Sequence, residues 1–429
     1  VILGVPCRIV PETQLPGGIF RKTARRIVDS DDVRPQGQLE LLDGKITVGG
    51  EFQMEPELRR NFDLDSTVPG DRSVTENSFT LELTFNFDRS SYGFLKGNGS
   101  STHLRLNEDS GLTPFKDSEL VEAYYYERDI KNLPIAVQVG RQRFEEGREW
   151  FYDSNLDAIR LYYELGEFEL EYSWSTILFD APPEVVDLRN QIFVGRWRHA
   201  RKSHLALYII DILDPRAVPE APFFVGLQAI GRYQRQFKYW LDFAYVDGVS
   251  AYETIEAHGF DVGAAYQWLE APLKPYAYGG WAFGSGDDDL TDGVDETFRQ
   301  TGYHDNNDKF FGVTSFRYYG EMFRPELSNL SIVTIGTGIR PVPWASMDLL
   351  FHRYNQVEPS PTIRDSRLRV APDGIHDDIG TEWDLVLGLE KLRDRWDVEV
   401  VIGYFIPGSA FGPAADPSLW AVMQLEYNF

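Results

Sequence analysis

Over long stretches of this chain every second position is apolar. In FTLELTFNFD, Phe79, Leu81, Leu83, Phe85 and Phe87 alternate with Thr80, Glu82, Thr84, Asn86 and Asp88. EFELEYSW sets Phe168, Leu170, Tyr172 and Trp174 against Glu167, Glu169, Glu171 and Ser173, and FKYWLDFAY repeats the pattern from Phe237 to Tyr245. EWDLVLGLE and WDVEVVIGY carry it over Trp383–Leu389 and Trp396–Tyr404. A period of two gives a strand one apolar face and one wet face. Continuous helical periodicity is scarce, so the chain reads as all-β. Even the last ten residues, WAVMQLEYNF, alternate up to Phe429, where a chain end would ordinarily be frayed and polar.

Eighteen such segments fall between residues 45 and 429, and the joins between them alternate in length. The short joins are DRSS, IKNLP, the glycine of ELGEF, HARKS, YQRQ, EAPLK, RPVP and KLRDR. The long ones include 56–77, 101–118, 285–328 and 354–379, rich in Asp, Asn, Gly and Pro. Long loops at one end and tight turns at the other predict a transmembrane antiparallel up-and-down β-barrel, with long extracellular loops and short periplasmic turns. Segments of roughly 9–11 residues are long enough to cross a bilayer when tilted. A soluble sandwich would need its apolar faces to meet and would not require this asymmetry among the loops. Open edges are forbidden in lipid, so the last strand is expected to pair with the first. Phe429 would then anchor at the periplasmic interface, where a terminal aromatic also resembles an outer-membrane assembly signal. The expected location is the outer membrane, with its lipid as the first partner.

Composition changes this picture little. The 429 residues hold 42 Lys+Arg against 67 Asp+Glu, a net charge of −25, which argues against a nucleic-acid partner. No run of about 18 apolar residues offers a spanning helix. The single cysteine, Cys7, leaves no internal disulfide or Cys-built metal site and reads as a free or buried thiol. VILGVPC is too short for a signal peptide, which fits a chain already processed. Residues 1–44 lie outside the strand count. Their IFRKTARRIVDSDD is a basic cluster followed by an acidic one, expected on the periplasmic side as a plug, a disordered lead, or a docking segment for export or envelope proteins. QLELLDGKITV can form a hairpin on Asp43-Gly44, which this reading leaves outside the 45–429 barrel.

If the apolar members face lipid, parity reads the inner wall directly. Its inward set includes Glu82, Arg160, Glu164, Glu167, Glu169, Glu171, Arg196, Arg198, Arg232, Lys238, Asp242, Asp348, His352, Glu382, Asp384, Asp397, Glu399 and Glu426. The opposite facing would cost about 2–4 kcal/mol for each basic side chain at mid-depth. Arg160, Arg196, Arg198, Arg232 and Lys238 make a candidate cationic track for a polyanion; salt bridges to neighbouring lumen acids are the alternative. Arg143 and Asp153 are a candidate path pair or a structural ion pair. Parity sends Arg141 and Arg143 outward, so the strand is expected to have ended before them. The loops SGDDDLTDGVDE and HDNNDK offer Asp287, Asp289, Asp305 and Asp308 as weak Ca²⁺ ligands without EF-hand spacing, or as plain anionic loops. No set of His, Ser and Asp is placed by spacing, so neither an enzyme nor a cofactor is expected.

Several stretches resemble the alginate export outer-membrane channels: VGRQRF followed by WFYDSNLDAI, FRQTG with GEMFRPELSNL, DIGTEWDLVL, and FIPGSAFGPAADPS before the last strand. The likeness runs in order over roughly residues 45–429. It implies an 18-stranded monomeric barrel and a periplasm-to-exterior conduit for an anionic exopolysaccharide, made selective by lumen arginines. By this resemblance Arg143 takes the second arginine of GRQR, and Asp153 and Asn155 take the acidic motif after it. Other positions where the family places lumen arginines fall on Glu82, Ala123, Ser315, Glu399 and Val401. A small-solute diffusion porin and a structural barrel within a larger envelope complex are the competing readings. With no nucleotide site, the path is passive; loops 285–328 and 354–379 are the expected outer gate, and segment 1–44 or YDSNLD could occlude the pore.

Overall fold

The computed structural model describes residues 39–107, 116–176, 188–200, 202–215, 219–392 and 395–429, together with Arg8 and Ile9. Cys7 and most of the 1–44 segment lie outside the described residues, as does the expectation of a plug or docking role for them. Nine strands form the first half of the barrel: β1 (Ile46–Arg60), β2 (Arg72–Asn86), β3 (Ser91–Asn107), β4 (Lys116–Arg128), β5 (Ile135–Glu145), β6 (Asp153–Leu165), β7 (Phe168–Thr176), β8 (Arg189–Ala200) and β9 (Ser203–Leu213). Nine complete it: β10 (Glu220–Tyr233), β11 (Phe237–Ser250), β12 (Glu253–Gln267), β13 (Tyr276–Gly284), β14 (Leu330–Val342), β15 (Ala345–Gln356), β16 (Asp378–Leu392), β17 (Trp396–Pro407) and β18 (Ser418–Asn428). Each pairs antiparallel with the next, and β18 closes on β1 from Leu419↔Arg60 to Asn428↔Glu51.

Closure explains the apolar chain end. The Phe429 N–H donates to the Gly50 carbonyl at 3.0 Å, the Gly50 N–H returns a bond at 3.1 Å, and the Phe429 ring stacks on Phe79 at 5.7 Å. The Asp43-Gly44 hairpin does form: Leu39–Leu41 pairs with Ile46–Val48, and Leu42, Asp43 and Gly44 all take positive φ. It uses the edge of β1 just below Phe429, collinear with β18, so it adds no strand to the barrel. Arg8–Ile9 extends this small sheet by pairing with Leu39 and Glu40.

The burial pattern is inside-out. Along β11, Leu241 and Tyr245 are exposed on the outer face, whereas Lys238, Trp240, Asp242 and Ala244 are buried, Asp242 completely. Buried charge and exposed leucine reverse the soluble arrangement, and hydrocarbon around the barrel makes the arrangement stable. The core lies within the cylinder. One cluster of Tyr92, Phe94, Tyr124, Tyr126 and Tyr162 fills the lumen beside β3, β4 and β6, and a much larger one takes in residues from β5 round to β18.

Two expected loops are shorter than the pattern indicated. The join 56–77 reduces to 61–71, and 101–118 to 108–115, because β1, β2 and β3 run on for 15, 15 and 17 residues. Their upper outward positions, such as Ser73, Asn77 and Ser101, are polar. That part of the wall stands above the hydrocarbon, so the alternation that signals a strand is missing there.

Leu241→Arg, at the middle of the outer face of β11, is expected to lower folding stability in lipid vesicles by about 2–4 kcal/mol, read from denaturant titration. An unchanged midpoint would mean that this face does not meet lipid.

Candidate conduit and the segments that fill the lumen

Among the described residues, two joins fold inward. The first is 146–152, between β5 and β6, and its turn is built on Glu146, whose carboxylate accepts the N–H groups of Arg148 (2.9 Å), Phe151 (3.2 Å) and Trp150. This carries Arg148 into the barrel. Its Nε, Nη2 and Nη1 donate to Asp242 (2.8 Å), Asp261 (2.9 Å) and Asp308 (2.7 Å), and its guanidinium lies over the rings of Trp240 and Tyr318. Burial alone would pull its pKa down, but Asp261, Tyr318, Asp242 and Asp308 together hold it above its ordinary value. Phe151 stacks on Tyr208 and presses against Gly226, where a Cβ would stand 2.4 Å from its ring.

The second infolded segment belongs to the long join between β13 and β14. Asp308 pairs with Lys238 of β11 as well as with Arg148. Further along, Glu382 of β16 accepts the N–H groups of Met322 (2.6 Å) and Phe323 (2.9 Å), and the Tyr354 hydroxyl donates to the Tyr319 carbonyl at 3.0 Å. Gly403 of β17 leaves room for Met322, whose Cβ would lie 2.8 Å from an added one. The expected outer gate at 285–328 is therefore largely a filling of the lumen. The occluding segment near YDSNLD is the 146–152 turn just before it; Asp153 to Asp157 continue as β6. The join 357–377 does lie at the outer end, tied by Arg367 N–H to the Phe323 carbonyl (3.1 Å), Arg369 N–H to Phe62 (3.0 Å) and Asp373 N–H to Ala410 (2.8 Å).

Against β1, β16, β17 and β18 a cavity of about 730 Å³ remains, bounded on its other side by residues 307–324. Strand register orders its wall by height. At the periplasmic end stand Glu51 beside Asn428, then Glu426 between Gln53 and Asp397, then Glu399 beside Gln424. Glu55 and Glu390 complete this lower tier. These carboxylates are held mainly by neutral donors: Gln53 to Glu55 (3.1 Å), Asn428 to Glu426 (2.8 Å) and Asp397 (3.2 Å), and Thr314 to Glu399. Lys309, on Glu390 at 3.2 Å, is the one lysine lining the cavity among the described residues.

The upper end carries four arginines, with Glu57 and Glu321 also on its wall. Arg59, level with Trp420, is joined there by Arg317, Arg324 and Arg367. Arg59 pairs with Glu57, while Arg317 (2.5 Å) and Arg324 (3.0 Å) share Asp305. Arg367 lies 4.0 Å over the Trp420 ring, and burial together with the nearby charge of Arg324 pulls its pKa down to about 10. Glu55 and Arg59 are four residues apart, about 13 Å along a strand. The two tiers therefore stand at different heights of the wall, while Arg367 still acts on Glu55 through space.

None of the cationic residues singled out from sequence lines this cavity. Arg160 points inward but is locked onto Glu171 at 2.6 Å and lies over Phe144, and Arg196 is buried beside Glu169. Arg198 pairs with Glu169 at 2.8 Å, Lys238 with Asp308, and Arg232 lies over Phe311. Arg143 and Asp153 form a bidentate pair (2.7 and 3.0 Å). The expected strand end before Arg141 does not occur. β5 stays paired with β6 through Glu145, with Gln142 and Phe144 inward, and Arg141 and Arg143 on the opposite parity; Asn155 stands across from Arg143. Asp305 approaches Glu149 and Asp153 closely, and Asp287 approaches Asp288 and Glu296; Asp289 caps its own turn through Thr291. Arg148, Arg59, Arg317, Arg324 and Arg367 were not visible from alternation, because four of them sit on joins and Arg59 lies where β1 has left the hydrocarbon.

The Alginate export family profile matches residues 46–422. This chain belongs to the alginate export family. It is similar to the alginate production protein AlgE of Pseudomonas aeruginosa, 26% identical over 341 residues that cover 66% of this chain and 68% of that protein. AlgE of Azotobacter vinelandii is 24% identical over 189 residues, 39% of this chain and 38% of that protein. Among solved structures, OccK11 of Pseudomonas aeruginosa superposes with a TM-score of 0.57 at 12% identity, covering 90% of this chain and 95% of that one. OccAB1 of Acinetobacter baumannii also gives 0.57, at 10% identity, over 90% and 96%. These likenesses agree on an outer-membrane barrel, the location in which this member of the alginate export family resides.

Two outcomes test the filled lumen. Arg148→Met leaves Asp242, Asp261 and Asp308 without their shared cation, and loss of one partner from such a buried group costs about 3–5 kcal/mol. The variant is expected to show higher single-channel conductance than the parent as the infolded segments loosen; equal conductance would detach Arg148 from the filling. Glu149 is pushed up to about 9, first by burial and then by the charges of Asp153 and Glu145. An acid with a raised folded pKa is neutral in the fold while the unfolded chain ionises from its ordinary 4.5 upward. Its contribution to stability therefore falls as pH rises from that value to about 9. Glu149→Gln should flatten the decline in unfolding temperature between pH 5 and pH 8, and a parallel decline in both proteins would contradict this.

Proposed function

We propose that this protein is the outer-membrane conduit through which an acidic, alginate-like exopolysaccharide leaves the periplasm for the exterior. The observation that carries this reading is the arginine tier at the head of the vestibule. There four guanidiniums face one cavity with Glu57 and Asp305 as their directly ion-paired carboxylates. Guanidinium forks suit the carboxylates of uronate residues, and the Trp420 ring beside them offers a flat apolar surface for a sugar. Membership of the alginate export family supports the same reading.

The barrel supplies a path and no chemistry: it is a transporter and not an enzyme. Movement is driven by polymer synthesis or by a gradient, and the conduit opens when the 357–377 join releases its bonds to Phe323, Phe62 and Ala410. Residues 1–44 would meet export or envelope proteins on the periplasmic side. The filled lumen favours one competing reading, a structural barrel inside a larger envelope complex.

Deleting the gene should stop release of acidic polysaccharide and trap it in the periplasm, with release restored by the intact protein and not by Arg59→Ala/Arg367→Ala. Unchanged release, measured as uronic acid in the medium, would sink the export reading and leave the structural one.

A further inference from the structure

The lower tier of the vestibule poses a difficulty that the upper tier does not. A uniformly anionic polymer arriving from the periplasm meets Glu51, Glu426, Asp397, Glu55 and Glu399 before it reaches an arginine. Gln53, Gln424, Asn428 and Thr314 hold these carboxylates without neutralising them. At several ångströms from such a wall, like charge repels and an ammonium is attracted.

We propose that the vestibule selects a polysaccharide that carries free amino groups alongside its acid groups. This rests on the export reading and specifies its cargo. The amines of the polymer pair with the carboxylates of the lower tier, and its acid groups pair with Arg59, Arg317, Arg324 and Arg367 above. Divalent ions held by the wall are a poorer match. Among the described residues, the sets of three carboxylates close enough to share an ion are Glu149–Asp153–Asp305 and Asp287–Asp288–Glu296, and neither set belongs to the lower tier. Glu426 and Asp397 share the Asn428 amide, and the acids of the vestibule offer point partners for an –NH3⁺ with its three donors. The amides Gln53, Gln424 and Asn428 between them can bond sugar hydroxyls.

The vestibule can be tested without opening the barrel, by titration calorimetry on the full chain in detergent. The probes are a glucosamine tetramer, a uronate tetramer with and without Ca²⁺, and neutral maltotetraose. The glucosamine tetramer is expected to bind with a Kd roughly tenfold or more below that of maltotetraose. Glu55→Gln/Glu399→Gln/Glu426→Gln should abolish this difference. The triple substitution moves the net charge only from −25 to −22 (−25 + 3), so general attraction to an acidic protein survives it. Glucosamine binding no tighter than maltotetraose binding, or a glucosamine preference that the triple variant retains, would overturn the proposal. Uronate binding that appears only with Ca²⁺, without glucosamine binding, would replace the amine by a metal ion and overturn it too. Should the triple variant fail to assemble, the order of affinities in the parent protein still decides. Failure here with polysaccharide release still dependent on the gene leaves the export reading standing, whereas loss of that dependence removes both.

Discussion

Hydrocarbon offers no hydrogen-bond partner, and that constraint organises the whole molecule. Every backbone group at membrane depth must be satisfied by a neighbouring strand, so β1 must find β18 across almost the full length of the chain. The pairing that runs from Leu419↔Arg60 to Asn428↔Glu51 meets that demand, and Phe429 finishes it with two bonds to Gly50. The same constraint sets the side-chain pattern. Leucines and aromatics turn outward, so the polar half of each strand has only the interior to occupy. The interior is therefore assembled from charges, amides and tyrosines, and its order must come from their pairing.

Arg148 shows how that pairing works. One guanidinium reaches three carboxylates that come from two wall strands and one join, and Gln228, Trp240 and Tyr319 donate to oxygens of Asp242 and Asp261. Buried ion pairs gain little net energy over apolar packing, because desolvation offsets attraction. What they add is geometry: a fork of five N–H groups accepts few arrangements. The knot fixes where the 146–152 turn and residues around Asp308 lie, and the aromatic contacts of Phe151, Phe310 and Tyr318 follow from that placement.

The barrel was largely legible in the sequence because period-two alternation is imposed locally wherever lipid meets a strand. FKYWLDFAY and WDVEVVIGY declare their facing without help from the rest of the chain. Eighteen segments and eight short joins could be read this way, and their ends could not. At EPELRR and RSVTEN the wall has risen above the membrane and both faces are polar, so strand and loop look alike. The conduit was less legible. Parity states that Arg160 and Arg196 point inward, but it does not state which inward charge has a buried partner across the strand. Glu171 and Glu169 take those two, and the joins that fill the lumen carry the arginines that line the cavity. Segments that fold back into a barrel leave no period to detect, since their neighbours are many residues away.

This separates two kinds of inward charge by their partners. On β6 to β12 the charges of the wall face opposite charges at short range: Arg160 with Glu171, Arg198 with Glu169, Lys238 with Asp308. Each pair is close to neutral a few ångströms away, so it ties the wall together and projects little field into the lumen. On β1, β17 and β18 most carboxylates meet amides or a hydroxyl, and their charge is left for water or for whatever enters. The head of the cavity repeats this with the opposite sign, because Asp305 is shared between two arginines. An arginine facing the lumen is thus no sign of a path by itself. What marks a path is charge whose nearest partners are neutral or oversubscribed, and within the cavity those charges form two tiers of opposite sign.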